Sequence, residues 1–126
     1  MEKNLGKHGE NLAADHLSRS GYRILVQNYR VLPFGEIDIV ARAKDGTLVF
    51  VEVKTLKNGN GELDSTGLMP EDNVSKAKLT KMKRAAEMFL ARNPDVAEKS
   101  PSWQIDVIAL KLDDSNAIQI QHYENV

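Results

Sequence analysis

The chain contains no cysteine, which excludes disulfides and thiolate metal sites and fits a reducing compartment. Its first residues, Met1-Glu2-Lys3-Asn4, lack the apolar stretch of a secretory signal. No apolar run approaches the ~20 residues needed to cross a bilayer. The expectation is a soluble, cytoplasmic protein without a membrane partner. Formal net charge is only -1, which argues against coating nucleic acid through bulk charge. There is no internal repeat, linker or low-complexity tract. A length of 126 residues suffices for one buried core, so residues 1–126 are expected to form one domain.

A near-neutral total can still hide a basic face. Between Lys76 and Arg92 the positive residues are Lys76, Lys78, Lys81, Lys83, Arg84 and Arg92, opposed by Glu87 alone. A solvated helix face would carry the same charges without any ligand.

Apolar residues at Leu5, Leu12, Ala13 and Leu17, with Gly21 beyond, predict an amphipathic helix over Leu5–Ser20. Strand formers fill Arg23–Tyr29, ahead of Pro33. Gly35–Ala43 reads as a second strand, with Ile37, Ile39 and Ala41 on one face and Glu36, Asp38 and Val40 on the other. Lys44-Asp45-Gly46 makes a turn into a third strand, Thr47–Leu56, whose Leu-Val-Phe-Val core suits burial on both faces. Lys57–Asn73 shows no periodicity and reads as a long loop. A second helix spans Ser75–Ala91, with Pro94 past its end. Trp103–Leu112 and Ala117–Tyr123 are two further strands joined through Asp113-Asp114-Ser115-Asn116. The predicted architecture is α/β, with helices packed on a central mixed sheet.

The chemistry gathers where charge interrupts the apolar strands. Glu52 and Lys54 are two apart in a strand and leave it on one face. A Glu–Lys pair at a sheet edge would explain both. Asp38 interrupts the preceding strand, however. If Gly46 takes the left-handed position of a three-residue hairpin loop, Ala43 pairs with Thr47 and Asp38 falls opposite Glu52. Two carboxylates so close need a cation or a shared proton between them. An oxygen-only set with open positions suits Mg²⁺ or Mn²⁺ better than zinc. With Lys54 beside it, such a set suits phosphodiester hydrolysis. His8, His16 and His122 have no ligand spacing and read as surface or half-buried histidines. Glu10 flanks the buried stripe of the first helix and either reaches the sheet or turns to solvent. Lys78 falls inside the stripe of the second helix, where it either snorkels or contacts phosphate.

Gly35-Glu36-Ile37-Asp38-Ile39-Val40-Ala41 and Leu48-Val49-Phe50-Val51-Glu52-Val53-Lys54 together resemble the PD-(D/E)XK nuclease signature. The whole chain is similar to the YraN family of predicted bacterial endonucleases, distant relatives of archaeal Holliday junction resolvases. The likeness includes Gly9-Glu10, Ala13, Leu17, Gly21-Tyr22, Asn28-Tyr29-Arg30, Val74, Lys78, Met82, Ala86, Leu90 and Ile105-Asp106-Val107. The resemblance implies a restriction-endonuclease-like core of order α-β-β-β-α-β. It implies metal ligation by Asp38, Glu52 and the Val53 carbonyl, with Lys54 acting on the attacking water and the transition state. Glu10 matches a helix glutamate that supports the metal site, and Glu36 and Lys78 match frequent family positions. The family often has an arginine soon after the lysine, where this chain reads Thr55-Leu56-Lys57, so Lys57 takes that place. An Arg-Phe-Asp at the late strand is replaced by Gln104-Ile105-Asp106. Lys57, Lys78 and Lys81 are the nucleic-acid-binding candidates. Resolvase-like relatives act as two-fold dimers, which implies a homodimer here.

Three readings are open on these grounds. The first is a Mg²⁺-dependent endonuclease acting on structured or branched DNA. The second is a nucleic-acid-binding protein that keeps the fold but cleaves nothing, and the third is a protein-interaction module with a basic helix. Juxtaposed carboxylates favour the first, because binding alone does not need them. Steep loss of affinity with salt would separate the first two from the third.

Overall fold

The computed structural model describes residues 2–57, 76–112, 115 and 117–126. Its elements are α1 (Glu2–Arg19), β1 (Arg23–Val31), β2 (Gly35–Arg42), β3 (Leu48–Lys57), α2 (Lys76–Arg92), a short α3 (Pro94–Glu98), β4 (Trp103–Leu112) and β5 (Ile118–Tyr123). The strands form one sheet in the order β1-β2-β3-β4-β5. β3 and β4 run parallel and all other neighbours are antiparallel. The sheet is therefore mixed, and the α-β-β-β-α-β order expected of a restriction-endonuclease-like core is present, with α3 and β5 added. No described helix is long and apolar enough to cross a membrane. Residues 58–73 of the expected loop, Val74, Ser75 at the expected start of the second helix, and Asp113, Asp114 and Asn116 of the expected turn lie outside the described residues.

The sheet separates two apolar layers. On one face α1 contributes Ala13 and Leu17, which pack with Ile39, Ala41, Val49, Val51, Ile108 and Leu110. On the other, Ala85, Ala86 and Phe89 of α2 pack with Val40, Leu48, Phe50 and Ile105. β3 runs between them, and Leu48 through Val51 are all buried, as their unbroken apolar run requires when both faces are covered. α1 ends in a Schellman motif around Gly21, with Tyr22 N–H donating to the Leu17 carbonyl (2.9 Å) and Gly21 N–H to that of Ser18 (3.1 Å).

The β2–β3 hairpin has the expected register. Ala43 N–H donates to the Thr47 carbonyl (2.8 Å) and Gly46 N–H to that of Ala43 (2.9 Å). Gly46 has φ +94°, a conformation that glycine adopts without steric cost. Arg42 then pairs with Leu48, Ala41 with Val49, Val40 with Phe50 and Ile39 with Val51.

Pro94 lies past the end of α2, as expected, and starts α3, because it occupies the first helical turn, where its missing N–H costs nothing. One expectation needs correction. Ile37 does not share a layer with Ile39 and Ala41. It packs in the α2 layer while they pack in the α1 layer, so β2 turns over at Asp38.

Asp106 is fully buried in β4. Its Oδ1 accepts from Gln104 Nε2 (2.9 Å) and from Asn125 N–H (2.9 Å), and its Oδ2 lies 2.7 Å from His122 Nε2. Val126 N–H donates to the Ile105 carbonyl (2.9 Å). The late-strand aspartate thus ties the segment after β5 to the sheet.

Candidate active site

The sheet forks at the point where the charged residues sit. The β2–β3 ladder ends at Ile39–Val51. β2 nonetheless stays with β1 as far as the Val31–Gly35 pair, and β3 stays with β4 as far as Lys57–Leu112. Asp38 and Glu52 are the first residues past the last rung, opposite one another in the register. With no β2 carbonyl to meet it, Val53 N–H donates to Asp38 Oδ2 (2.8 Å). A buried backbone donor must find some partner, and here a side chain takes the place of the missing rung.

The other neighbour of β2 is altered at the same level. Gln27 pairs with Ile39 and Tyr29 with Ile37, which leaves Asn28 opposite Asp38. Asn28 has φ +57°, a left-handed conformation that asparagine tolerates better than most residues. A turned-over Asp38 in β2 is thus matched by a left-handed residue in β1. Sequence reasoning placed Asn28 only within a family motif. Its one independent signal was an asparagine among strand formers.

Glu10 of α1, Glu36 and Asp38 of β2 each offer an oxygen, and the three atoms lie within 4.8 Å of one another. Glu10 is half-buried, and its Oε1 is a buried atom that no hydrogen bond reaches. Burial, and then the charge of Glu52, push the Asp38 carboxyl up to about 7. The Val53 N–H bond opposes that rise and Glu10 adds to it. Three clustered carboxyls, one with an orphaned oxygen and one with its pKa pushed up toward neutrality, form a site short of positive charge. An oxygen-only donor set of this kind fits Mg²⁺ or Mn²⁺. None of the three histidines belongs to it.

The remaining candidates distribute around this group. Glu52 turns to the α2 side, where its Oε2 lies 2.7 Å from Lys78 Nζ. The structure therefore brings Asp38 together with Glu10 and Glu36, while Glu52 acts on Asp38 through its charge. Lys54 is half-buried in β3 and shares the Glu52 face by strand alternation. Val53 contributes its N–H to Asp38; the expectation concerned its carbonyl. Lys81 is exposed on α2. Lys57 ends β3, and its side chain lies outside the described residues.

A cavity of about 400 Å³ opens beside the carboxylates, between the fork and α2. Phe34, Glu36, Glu52, Lys78, Lys81 and Met82 are among the residues that line it. Glu36 thus belongs both to the carboxylate cluster and to the cavity wall.

Glu10 reaches the cluster because α1 lies close on β3 at the preceding residue. A methyl group at Gly9 would overlap Thr55 Oγ1 and approach Leu110 Cδ1 to 3.2 Å. Gly9→Ala is expected to cost ~1–3 kcal/mol through overpacking, outweighing the ~1 kcal/mol helix preference for alanine over glycine. Thr55→Ala in the same chain should recover most of that loss. Urea denaturation of the two single variants and the double variant measures this coupling.

The model of the "Uncharacterised protein family UPF0102" matches residues 9–110. UPF0102 protein CE1920 of Corynebacterium efficiens is 36% identical over 126 residues, covering 99% of this chain and 93% of that protein. A UPF0102 protein of Alkaliphilus oremlandii is 38% identical over 125 residues, with 99% and 98% coverage. Among solved structures, the one titled "The structure of Pyrococcus Furiosus SfsA in complex with Ca2+" aligns with a TM-score of 0.39 and 17% identity. That alignment covers 98% of this chain and 63% of the other.

Proposed function

The chain belongs to the uncharacterised protein family UPF0102, the YraN family, and we propose that it is a divalent-metal-dependent endonuclease acting on structured or branched DNA. The observation that carries this reading is the Glu10–Glu36–Asp38 cluster at the fork, with Glu52 and Lys54 on the adjoining strand. A protein that only bound DNA would gain nothing from carboxylates that repel both one another and phosphate.

Glu10, Glu36 and Asp38 would hold Mg²⁺ or Mn²⁺. When bound, the ion supplies Lewis acidity toward the phosphoryl oxygen and toward water. Val53 N–H donates to Asp38 Oδ2 and so holds that carboxylate in place at the cluster. Lys54, on a strand buried in the sheet, presents its ammonium to the attacking water and to the negative charge that develops on the phosphate. Glu52 orients Lys78 at the rim, and Lys78 and Lys81 meet the DNA backbone, a contact whose strength falls with salt.

The test is cleavage of a branched DNA substrate in Mg²⁺ or Mn²⁺, compared with EDTA. Lys54→Met is expected to lower the rate by about 10²–10³-fold, the usual loss for one transition-state donor, while binding stays within a few-fold. A second reading, binding without cleavage, has one observation in its favour: Glu52 is paired with Lys78 and stands outside the three-oxygen cluster. Salt-sensitive DNA binding with no product in either metal would support that second reading.

A further inference from the structure

We propose that the cavity beside the carboxylates receives one unpaired nucleobase, so that the protein selects DNA in which the nucleotide next to the cut is unstacked. This rests on the nuclease reading for the position of the phosphate, and on the cavity itself for the base. At about 400 Å³ the space lies toward the lower end of the range for ligand pockets and has room for one base. Its inner wall is apolar: Phe50 and Ala85 are buried core residues, and Met82 packs against them. Phe34 is half-buried in the cavity lining and offers a ring for stacking, an attraction indifferent to base identity. Leu32, two residues before Phe34 in the chain, is 68% exposed at the β1–β2 tip and available to fill the gap that an extruded base leaves in a duplex.

The charges at the mouth complement a nucleotide. Glu36 and Glu52 line the cavity and accept hydrogen bonds from exocyclic amino groups. Lys81 lines it from α2 and meets a flanking phosphate. Because Glu36 also belongs to the carboxylate cluster, a base in the cavity and a phosphate at the cluster would belong to the same or adjacent nucleotides. A paired, stacked base cannot enter. A base in a flap, bulge or branch point has already lost the stacking that extrusion would otherwise have to break.

The experiment compares two short DNA duplexes, one fully paired and one carrying a single unpaired 2-aminopurine, binding to the intact protein in Ca²⁺. The unpaired duplex is expected to bind about tenfold tighter, the effect of one base–aromatic stack. 2-Aminopurine fluorescence should change on binding. Met82→Trp and Ala77→Trp, which fill the cavity from its wall and from its exposed rim, should each reduce the preference to near unity. Equal affinity for the two duplexes, or a preference unaltered in both variants, would overturn the proposal. Cleavage of both duplexes at one rate, with equal binding, removes the base pocket and leaves the nuclease. A preference for the unpaired base in a protein that cuts nothing and binds no Mn²⁺ keeps the pocket and removes the nuclease.

Discussion

Asp38→Asn is expected to be more stable than the parent protein at pH 8 and no more stable at pH 5. Burial and the neighbouring Glu52 hold the Asp38 carboxyl up to about 7 in the folded chain, whereas the unfolded chain releases that proton near 4. Between those values the native state binds more protons than the unfolded state, so stability falls as pH rises. The contribution of protonated Asp38 is complete below about pH 4 and is lost as pH passes through about 7. The loss at pH 8 is on the order of a few kcal/mol. Asparagine carries no charge and still presents an oxygen to Val53 N–H, so it escapes the loss. Urea denaturation at the two pH values reads the difference. Adding Mn²⁺ should stabilise the parent more at pH 8 than at pH 5, because a cation competes with the proton for the same oxygens. Asp38→Asn should show no such dependence.

Asp106→Ala is expected to cost about 3–5 kcal/mol, the range for removing one partner from a buried charged network. The substitution strands Gln104 Nε2, Asn125 N–H and His122 Nε2 at once and leaves space in a fully buried position. Asp106→Asn should lose less, about 1–2 kcal/mol. It keeps one oxygen for Asn125 N–H and Gln104, and His122 can meet the new amide by changing tautomer. Equilibrium unfolding of the two variants tests the order. Hydrogen exchange at Val126, whose N–H reaches the Ile105 carbonyl, should accelerate in Asp106→Ala before the sheet opens.

The β2–β3 hairpin was readable from residues alone, because Lys44-Asp45-Gly46 permits one low-cost loop and that loop fixes every pair after it. Asp38 opposite Glu52 comes from this counting, whereas the burial of Leu48 through Val51 is legible in their unbroken apolar run. The fork was not readable. Strict alternation puts Ile37 with Ile39, whereas β2 turns over at Asp38 as it leaves β3, carrying Ile37 into the α2 layer. That turn brings the Asp38 carboxylate together with Glu10 and Glu36, while the neighbouring Glu52 pairs with Lys78. The meeting of Glu10 with the two strand acids depends on how α1 lies across the sheet, which no local pattern encodes. Pro94 was ambiguous for a different reason, since proline is at home both in the exit from one helix and in the first turn of the next. The role of Asp106 depends on Gln104, His122 and Asn125 arriving from three places, so its residue type alone could not disclose it.

The most direct test of the central claim is calorimetric titration of Mn²⁺ into the parent protein, Glu10→Gln and Asp38→Asn, with a short DNA duplex present. A site shared between α1 and the fork predicts saturable binding by the parent that is lost in both variants, with proton release near pH 7 in the parent alone. Binding that survives Glu10→Gln and Asp38→Asn unchanged, or is absent from the parent, would contradict it.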